Sequence, residues 1–268
     1  MDGWEVATAI SAAQRGGEVL RRHFRELRPG DIEAKGENDW VSIADRASEA
    51  AILELLGERT PGFAVLAEES GAFGACDGPR WVIDPLDGTA NFVRGFPHFA
   101  VSIALVADGR VELGVVVDPM RDEAFVAVHG GGSTCNGRPL RVSGRPQLAG
   151  AFVTTGFPFR IHRHIDTYLA IFRDVFLAVG AIRRPGAAAL DLAHTACGIF
   201  DGFFEFSLAA WDIAAGALLI REAGGVVTDL DGGDAWLERG NVVAGTPAVQ
   251  DALLGLCRRH CRESGLAE

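Results

Sequence analysis

One short run, Arg80 to Phe92 (RWVIDPLDGTANF), restricts this chain more than any other. Its first four residues read as a buried strand, and Asp84, Asp87, Gly88 and Thr89 follow at once. Pro85 has no amide hydrogen to give to a ladder, so the chain is expected to leave the sheet there and turn both aspartates toward one point. Gly88 and Thr89 then lead into a short helix, ANFV, whose first amides are unpaired and whose dipole favours an anion. Carboxylates suited to a cation and amides suited to a phosphate thus fall within six residues, Asp84 to Thr89.

Each aspartate has an ordinary reading by itself, as a turn residue or a helix cap. Two other places weigh against it. Glu68 and Glu69 close the apolar run FAVLA, and Trp211-Asp212 opens AAGALLIREAG, whose remaining positions are nearly all apolar. Carboxylates gathered at one place repel by about 4 kcal/mol per close pair at an effective dielectric of about 20. Such a cluster needs a cation or gives up its charge. Oxygen-only ligation, without His or Cys, suits Mg²⁺ or Mn²⁺ and not zinc.

Composition narrows the function classes. With 268 residues, 48% of them hydrophobic, the chain can build one large domain or two closely packed halves. A formal charge of −11, with no run of Lys or Arg, argues against a nucleic-acid surface. No window holds the roughly 18 uninterrupted apolar residues of a membrane span. The start, MDGWEVATAI, has no leader pattern, so a cytoplasmic location is expected. The five cysteines, Cys76, Cys135, Cys197, Cys257 and Cys261, read as free thiols. Cys257, His260 and Cys261 could share a helix face, but no second Cys/His pair lies near them to complete a zinc site. Lys35 is the sole lysine among 25 basic residues.

Apolar spacing predicts an opening helix over 4–26, a break in RPGDIEAKGENDW, and a helix from Asp45 to a stop at Gly57 and Pro61. FAVLAE and RWVIDP read as buried strands. Residues 99–128 form an antiparallel meander with turns at Asp108-Gly109 and Asp118-Pro119. Helices near 163–178, 187–196 and 211–223 then alternate with strands near 181–184 and 202–207, followed by the strands GGVVTD and NVVAG and a final helix from Pro247. The expectation is an α+β half over 1–145 and an α/β half over 146–268, which layers of helix and sheet in a five-layer sandwich would accommodate.

These motifs resemble the inositol monophosphatases, most closely the bacterial branch. The resemblance rests on Glu68-Glu69-Ser70, WVIDPLDGTANF (81–92) running into GFPHFAVSIAL, DPMRDEAF (118–125), RRPGAAALDLA (183–193), FDGFFE (200–205) and WDIAAGALLIREAGG (211–225), and covers nearly the whole chain. It implies the αβαβα fold shared with fructose-1,6-bisphosphatase, a homodimer, lithium sensitivity, and two or three Mg²⁺ ions per site, with Mn²⁺ as an alternative. It further implies that Glu68, Asp84 and the Leu86 carbonyl hold one metal, and Asp84, Asp87 and Asp212 a second. The Gly88 and Thr89 amides would bind phosphate. Thr89 with Asp45 would orient or deprotonate the attacking water, with Glu68 beside them in the catalytic set. Asp87, Gly88, Thr89, Ala188, Glu205 and Asp212 would line the substrate, a small phosphorylated polyol with inositol 1-phosphate foremost. Ala67 departs from the glycine common before the Glu-Glu pair, a change of one methyl.

Histidinol phosphate, 3′-phosphoadenosine nucleotides, fructose 1,6-bisphosphate and NADP are the competing substrates within this fold. NFVRGFPHFAVSIA and Glu205 favour the inositol branch. A different class of function, a partner in a larger assembly that keeps an ancestral site, would be supported by loss of a ligand, yet the four acidic residues and Thr89 are all present. Ser70, Ser102 and Cys197 have no base partner in view and read as structural. His98, His129, His162, His164 and His194 are assigned no role.

Overall fold

Alternation of apolar side chains along the strands decides how the layers stack. The computed structural model describes residues 3–36, 39–75, 78–157 and 164–264. Helix α1 (Gly3–His23) opens the chain and buries Ala9, Ala12, Ala13 and Leu20. A hairpin, β1 (Ile32–Gly36) with β2 (Asp39–Ser42), stands where the sequence suggested only a break. Helix α2 (Ile43–Arg59) starts before Asp45 because Ser42 caps it. The Ser42 hydroxyl accepts the Ala44 amide at 3.1 Å, while Asp45 reaches back to accept the Ser42 amide at 2.8 Å.

Strands β3 (Ala64–Ala67), β4 (Gly71–Phe73) and β5 (Arg80–Asp87) precede a short helix α3 (Thr89–Val93). Then come β6 (Ala100–Ala107), β7 (Arg110–Asp118), β8 (Glu123–Val128), β9 (Gly132–Cys135) and β10 (Arg138–Pro139). They form an eight-stranded sheet ordered β10-β9-β8-β7-β6-β5-β3-β4. The predicted meander is its centre, and β3 beside β5 is its parallel pair.

The remainder runs β11 (Phe152–Thr155), α4 (Ile165–Ala178), β12 (Ala181–Arg183), α5 (Ala188–Ala196), β13 (Gly202–Glu205), α6 (Ala210–Glu222), β14 (Val226–Thr228), α7 (Trp236–Arg239), β15 (Val242–Gly245) and α8 (Pro247–Ser264). Its five-stranded sheet is ordered β12-β11-β13-β15-β14.

Neighbouring residues on one strand point to opposite cores. Trp81 and Ile83 pack with α1 and α2, whereas Val82 faces α5 and α6. On the second sheet Phe203, Val242 and Ala244 face α5 and α6, while Phe204 and Val243 face α4 and α8. Helices therefore cover both outer faces and fill the space between the sheets, which is the expected five-layer sandwich. Among the described residues no helix is long and apolar enough to cross a membrane.

Candidate metal and phosphate site

The run from Arg80 to Phe92 behaves differently from expectation at one point. β5 does not leave the sheet at Pro85: Asp84 pairs with Ser102 and Asp87 with Ala100, so β5 spends three residues against two on β6. The extra residue is a bulge, which tolerates a proline and re-aims the side chains around it. Ser48 on α2 fixes the bulge by donating to the Pro85 carbonyl at 2.9 Å, and the Leu86 amide donates to Asp84 Oδ1 at 2.9 Å. Gly88 then turns the chain with φ +89°, in the left-handed region that favours glycine. A β-carbon there would stand 3.1 Å from the His98 carbonyl oxygen and 3.2 Å from Ala187 Cβ. The Phe92 ring anchors the helix that follows, 5.6 Å from Phe24 and 4.8 Å from Phe99.

Asp84, Asp87 and Asp212 bring one oxygen each within 4.8 Å of one another, although Asp212 lies more than a hundred residues from the other two in sequence. α6 delivers Asp212 at its third residue, where the carboxylate also accepts the Ala209 amide at 2.7 Å. Glu68, just past β3, shares a hydrogen bond with Asp84 and feels the charge of Asp212. Burial together with mutual repulsion pushes Glu68 up to about 8 and Asp87 up to about 7, and holds Asp84 well above the carboxylate range. Glu68, Asp84 and Asp87, crowded beside Asp212, resist ionising together, and a cation is the chemistry that relieves them. The donor set is carboxylate throughout, as a hard cation requires.

Thr89 and Asp45 stand beside the cluster. The Thr89 hydroxyl lies 3.1 Å from Asp45 Oδ1 and 3.1 Å from the Leu86 carbonyl oxygen. Asp45 is fully buried, its other oxygen held by the Ser42 hydroxyl at 2.6 Å, and burial raises its pKa. Lys35, on β1, pairs with Glu69 and lies 3.8 Å from Glu68.

Sequence reasoning missed how Asp87 is held. The N-terminus of α5 points at it: the Ala189 amide donates to Asp87 Oδ2 at 2.7 Å, with further bonds from the Ala188 and Leu190 amides. Ala188 is the first residue of that helix, and its amide meets the Asp87 carboxylate. Asn91 ties the same region together, its Nδ2 lying 2.8 Å from the His98 carbonyl oxygen, 3.0 Å from that of Pro185 and 3.2 Å from that of Gly186. The bonds from α5 to Asp87 and from Asn91 to Pro185 and Gly186 leave no local signature, because each joins residues about a hundred positions apart. Glu205 ends β13, close enough to Asp191 on α5 for their charges to interact.

A sequence profile of the inositol monophosphatase family matches residues 4–262. The chain belongs to that family. It is 47% identical over 257 residues to "Nus factor SuhB" of Pseudomonas aeruginosa, covering 94% of this chain and 95% of the relative. It is equally 47% identical over 246 residues to "Inositol-1-monophosphatase" of Mesorhizobium japonicum, covering 91% and 92%. The crystal structure of the extragenic suppressor protein SuhB of Bartonella henselae superposes with a TM-score of 0.92 at 41% identity, covering 96% of this chain and 99% of that one.

Membership of the inositol monophosphatase family supports phosphatase activity and metal dependence, and the three clustered aspartates suit the latter. Residues outside the cluster have other work. Ser102 donates to the Trp211 carbonyl at 3.0 Å, a structural bond that fastens β6 to the start of α6. Cys257 and Cys261 are buried, and His260 contacts Asp174 at 2.8 Å. Cys76 and His162 lie outside the described residues.

Proposed function

We propose that this protein is a Mg²⁺-dependent phosphatase that hydrolyses inositol 1-phosphate or a closely similar polyol phosphate. The observation that carries this reading is the close group of buried Asp84 and Asp87 with half-buried Asp212, Glu68 bonded to it, adjacent to a hydroxyl already engaged with a buried carboxylate. Glu68, Asp84, Asp87, Asp212 and the Leu86 carbonyl would hold two or three Mg²⁺ ions, or Mn²⁺ in their place. When bound, the cations supply positive charge that lowers the pKa of the attacking water and offsets charge on the departing alkoxide.

The chain's own groups orient and move the proton. Thr89 Oγ1 accepts a proton from the attacking water while its own passes to Asp45 Oδ1, 3.1 Å away. Burial raises the basicity of Asp45, which favours that direction of transfer. The amides of Gly88 and Thr89 fix phosphate, Ala188 lines it, and Glu205 accepts hydrogen bonds from ring hydroxyls. Residues 1–145 bring Glu68, Asp84, Asp87 and Thr89 to this reaction, and residues 146–268 bring Asp212 and Glu205.

A homodimer fits the surface of α4, where Ile165, Leu169, Phe176 and Leu177 are exposed apolar residues. Direct nucleic-acid binding does not fit the charge of −11. A second reading, a Nus-factor role alongside catalysis, is favoured by the name borne by the Pseudomonas relative. Such a role would be carried by a surface and would survive loss of the carboxylates.

The test is phosphate release by the purified chain from inositol 1-phosphate, histidinol phosphate, a 3′-phosphoadenosine nucleotide, fructose 1,6-bisphosphate and NADP, with Mg²⁺ and with excess chelator. Turnover of inositol 1-phosphate that needs Mg²⁺, is inhibited by millimolar lithium and is lost in Asp84→Asn is expected. Full activity in chelator, or undiminished turnover in that variant, sinks the reading.

A further inference from the structure

Parallel pairing of β11 with β13 sets Val153 beside Gly202, Thr154 beside Phe203 and Thr155 beside Phe204. One step further the same register brings buried Gly156 alongside Glu205. Cross-strand neighbours on one face are separated by only about 4.8 Å, so their side chains compete for the same volume. Here the competition is complete. A β-carbon built on Gly156 would overlap Cδ and both carboxylate oxygens of Glu205. The Glu205 side chain therefore folds across the bare Cα of residue 156.

Two features show that room, and not backbone freedom, is what glycine supplies. Gly156 is absent from the positive-φ glycines, so alanine could adopt its backbone without strain. The overlapping atoms are also the far end of a flexible side chain, so an added methyl turns Glu205 aside before it disturbs either strand. The surroundings of Glu205 are otherwise stiff. The Thr155 hydroxyl lies 2.6 Å from the Phe204 carbonyl oxygen and 2.9 Å from the Tyr168 hydroxyl, which locks the two strand ends together. Asp191, buried on α5, lies close enough for the Glu205 charge to help hold its carboxyl above the usual range.

We infer that Gly156 is a specificity-determining position, its missing side chain giving the Glu205 carboxylate the seat from which it meets the hydroxyls of a polyol phosphate. The inference rests on the reading of Glu205 given under Proposed function. Gly156 touches neither phosphorus nor the metal-binding carboxylates in this account; it acts through Glu205.

The experiment compares Gly156→Ala, Glu205→Ala and the double variant on inositol 1-phosphate and on an aryl phosphate that lacks hydroxyls. In Gly156→Ala the ratio of the two kcat/KM values is expected to fall tenfold or more against the polyol ester. The double variant should match Glu205→Ala, since one displaced carboxylate cannot be lost twice. A crystal structure of Gly156→Ala should show Glu205 turned away from residue 156. If that variant folds poorly, removing Glu205 from it should restore folding. An unchanged ratio, additive losses, an unmoved Glu205 carboxylate, or a misfolded Gly156→Ala that Glu205→Ala does not rescue each overturns the inference. Absence of turnover in the wild type would count against the phosphatase reading instead, and the crystal comparison would then decide whether the seat exists.

Discussion

Asp87→Asn tests the central electrostatic argument without any substrate. In the folded chain the Asp87 carboxyl is pushed from an ordinary 3.8 up to about 7, first by burial and then by Asp212. A folded acid that keeps its proton to higher pH than the unfolded one stabilises the fold fully below about 3.8, and that contribution is lost as pH rises toward 7. At about 1.4 kcal/mol per pH unit, the metal-free protein loses about 4 kcal/mol from this residue by pH 8. Asparagine is nearly isosteric and can still accept the Ala189 amide, yet it carries no charge to lose. Buried His98, held down to about 4 chiefly by burial, contributes the opposite slope below its ordinary 6.5, but it is common to both proteins and cancels in their difference. In excess chelator, Asp87→Asn should therefore gain on wild type as pH rises from 4 to 7 and then hold its lead. At about 2–4 °C per kcal/mol for a chain of this size, the lead in Tm is roughly 10 °C. Saturating Mg²⁺ at pH 8 should raise the wild-type Tm and leave the variant almost unmoved. Thermal unfolding by circular dichroism across that pH range measures both. Equal melting temperatures at every pH in chelator, or equal stabilisation of both proteins by Mg²⁺, would refute the account of a repulsive cation site.

Three other perturbations address separate parts of the molecule. Thr89→Ala removes the hydroxyl between Asp45 and Leu86 and should lower kcat by roughly 10²–10⁴ with Mg²⁺ affinity nearly intact; a normal kcat in a protein less stable by about 1 kcal/mol would reduce the Thr89 hydroxyl to a structural hydrogen bond. Lys35→Gln takes away the positive charge that lowers the Glu68 pKa, so that acid should hold its proton more tightly and half-saturation by Mg²⁺ should shift upward, most clearly near pH 7. A magnesium titration superimposable on wild type would return Lys35 to a solvated role. If the proposed homodimer forms through α4, Phe176→Glu with Leu177→Glu, at residues 63% and 75% exposed, should sediment as a monomer where the wild type sediments as a dimer; a dimer that persists in the variant would refute that face.

Local patterns made much of this protein legible. The three- and four-residue apolar spacing of 4–26 predicts an opening helix because a helix must bury one stripe, and α1 fills 3–23 of it, while the alternation after Phe99 predicts β6, β7 and β8 because a strand presents a new face at each residue. Asp84, Asp87, Glu68 and Asp212 stood out because acids at the ends of apolar runs are costly unless something compensates them. Where the outcome depended on a distant partner, local rules fell short. Pro85 argued for an exit from the sheet, yet β6 continues to pair with β5 on both sides of it, and the chain absorbs the proline as a bulge. The hairpin of β1 and β2 was passed over because Pro29, Gly30 and Gly36 are breakers when read alone.

The sequence alone determined the chemistry on offer: oxygen donors without His or Cys, a hydroxyl at residue 89, and helices and strands whose apolar faces suit a layered sandwich. Tertiary structure decided what those groups became. Burial and mutual proximity raised the acid pKa values, neither of which is a property of spacing along the chain. The amide at Ala189 reached Asp87 across 102 residues. Glu205 could fold over Gly156 only because strand register brought an absent side chain beside a long one. Which atoms share a volume is settled when sheets and helices pack.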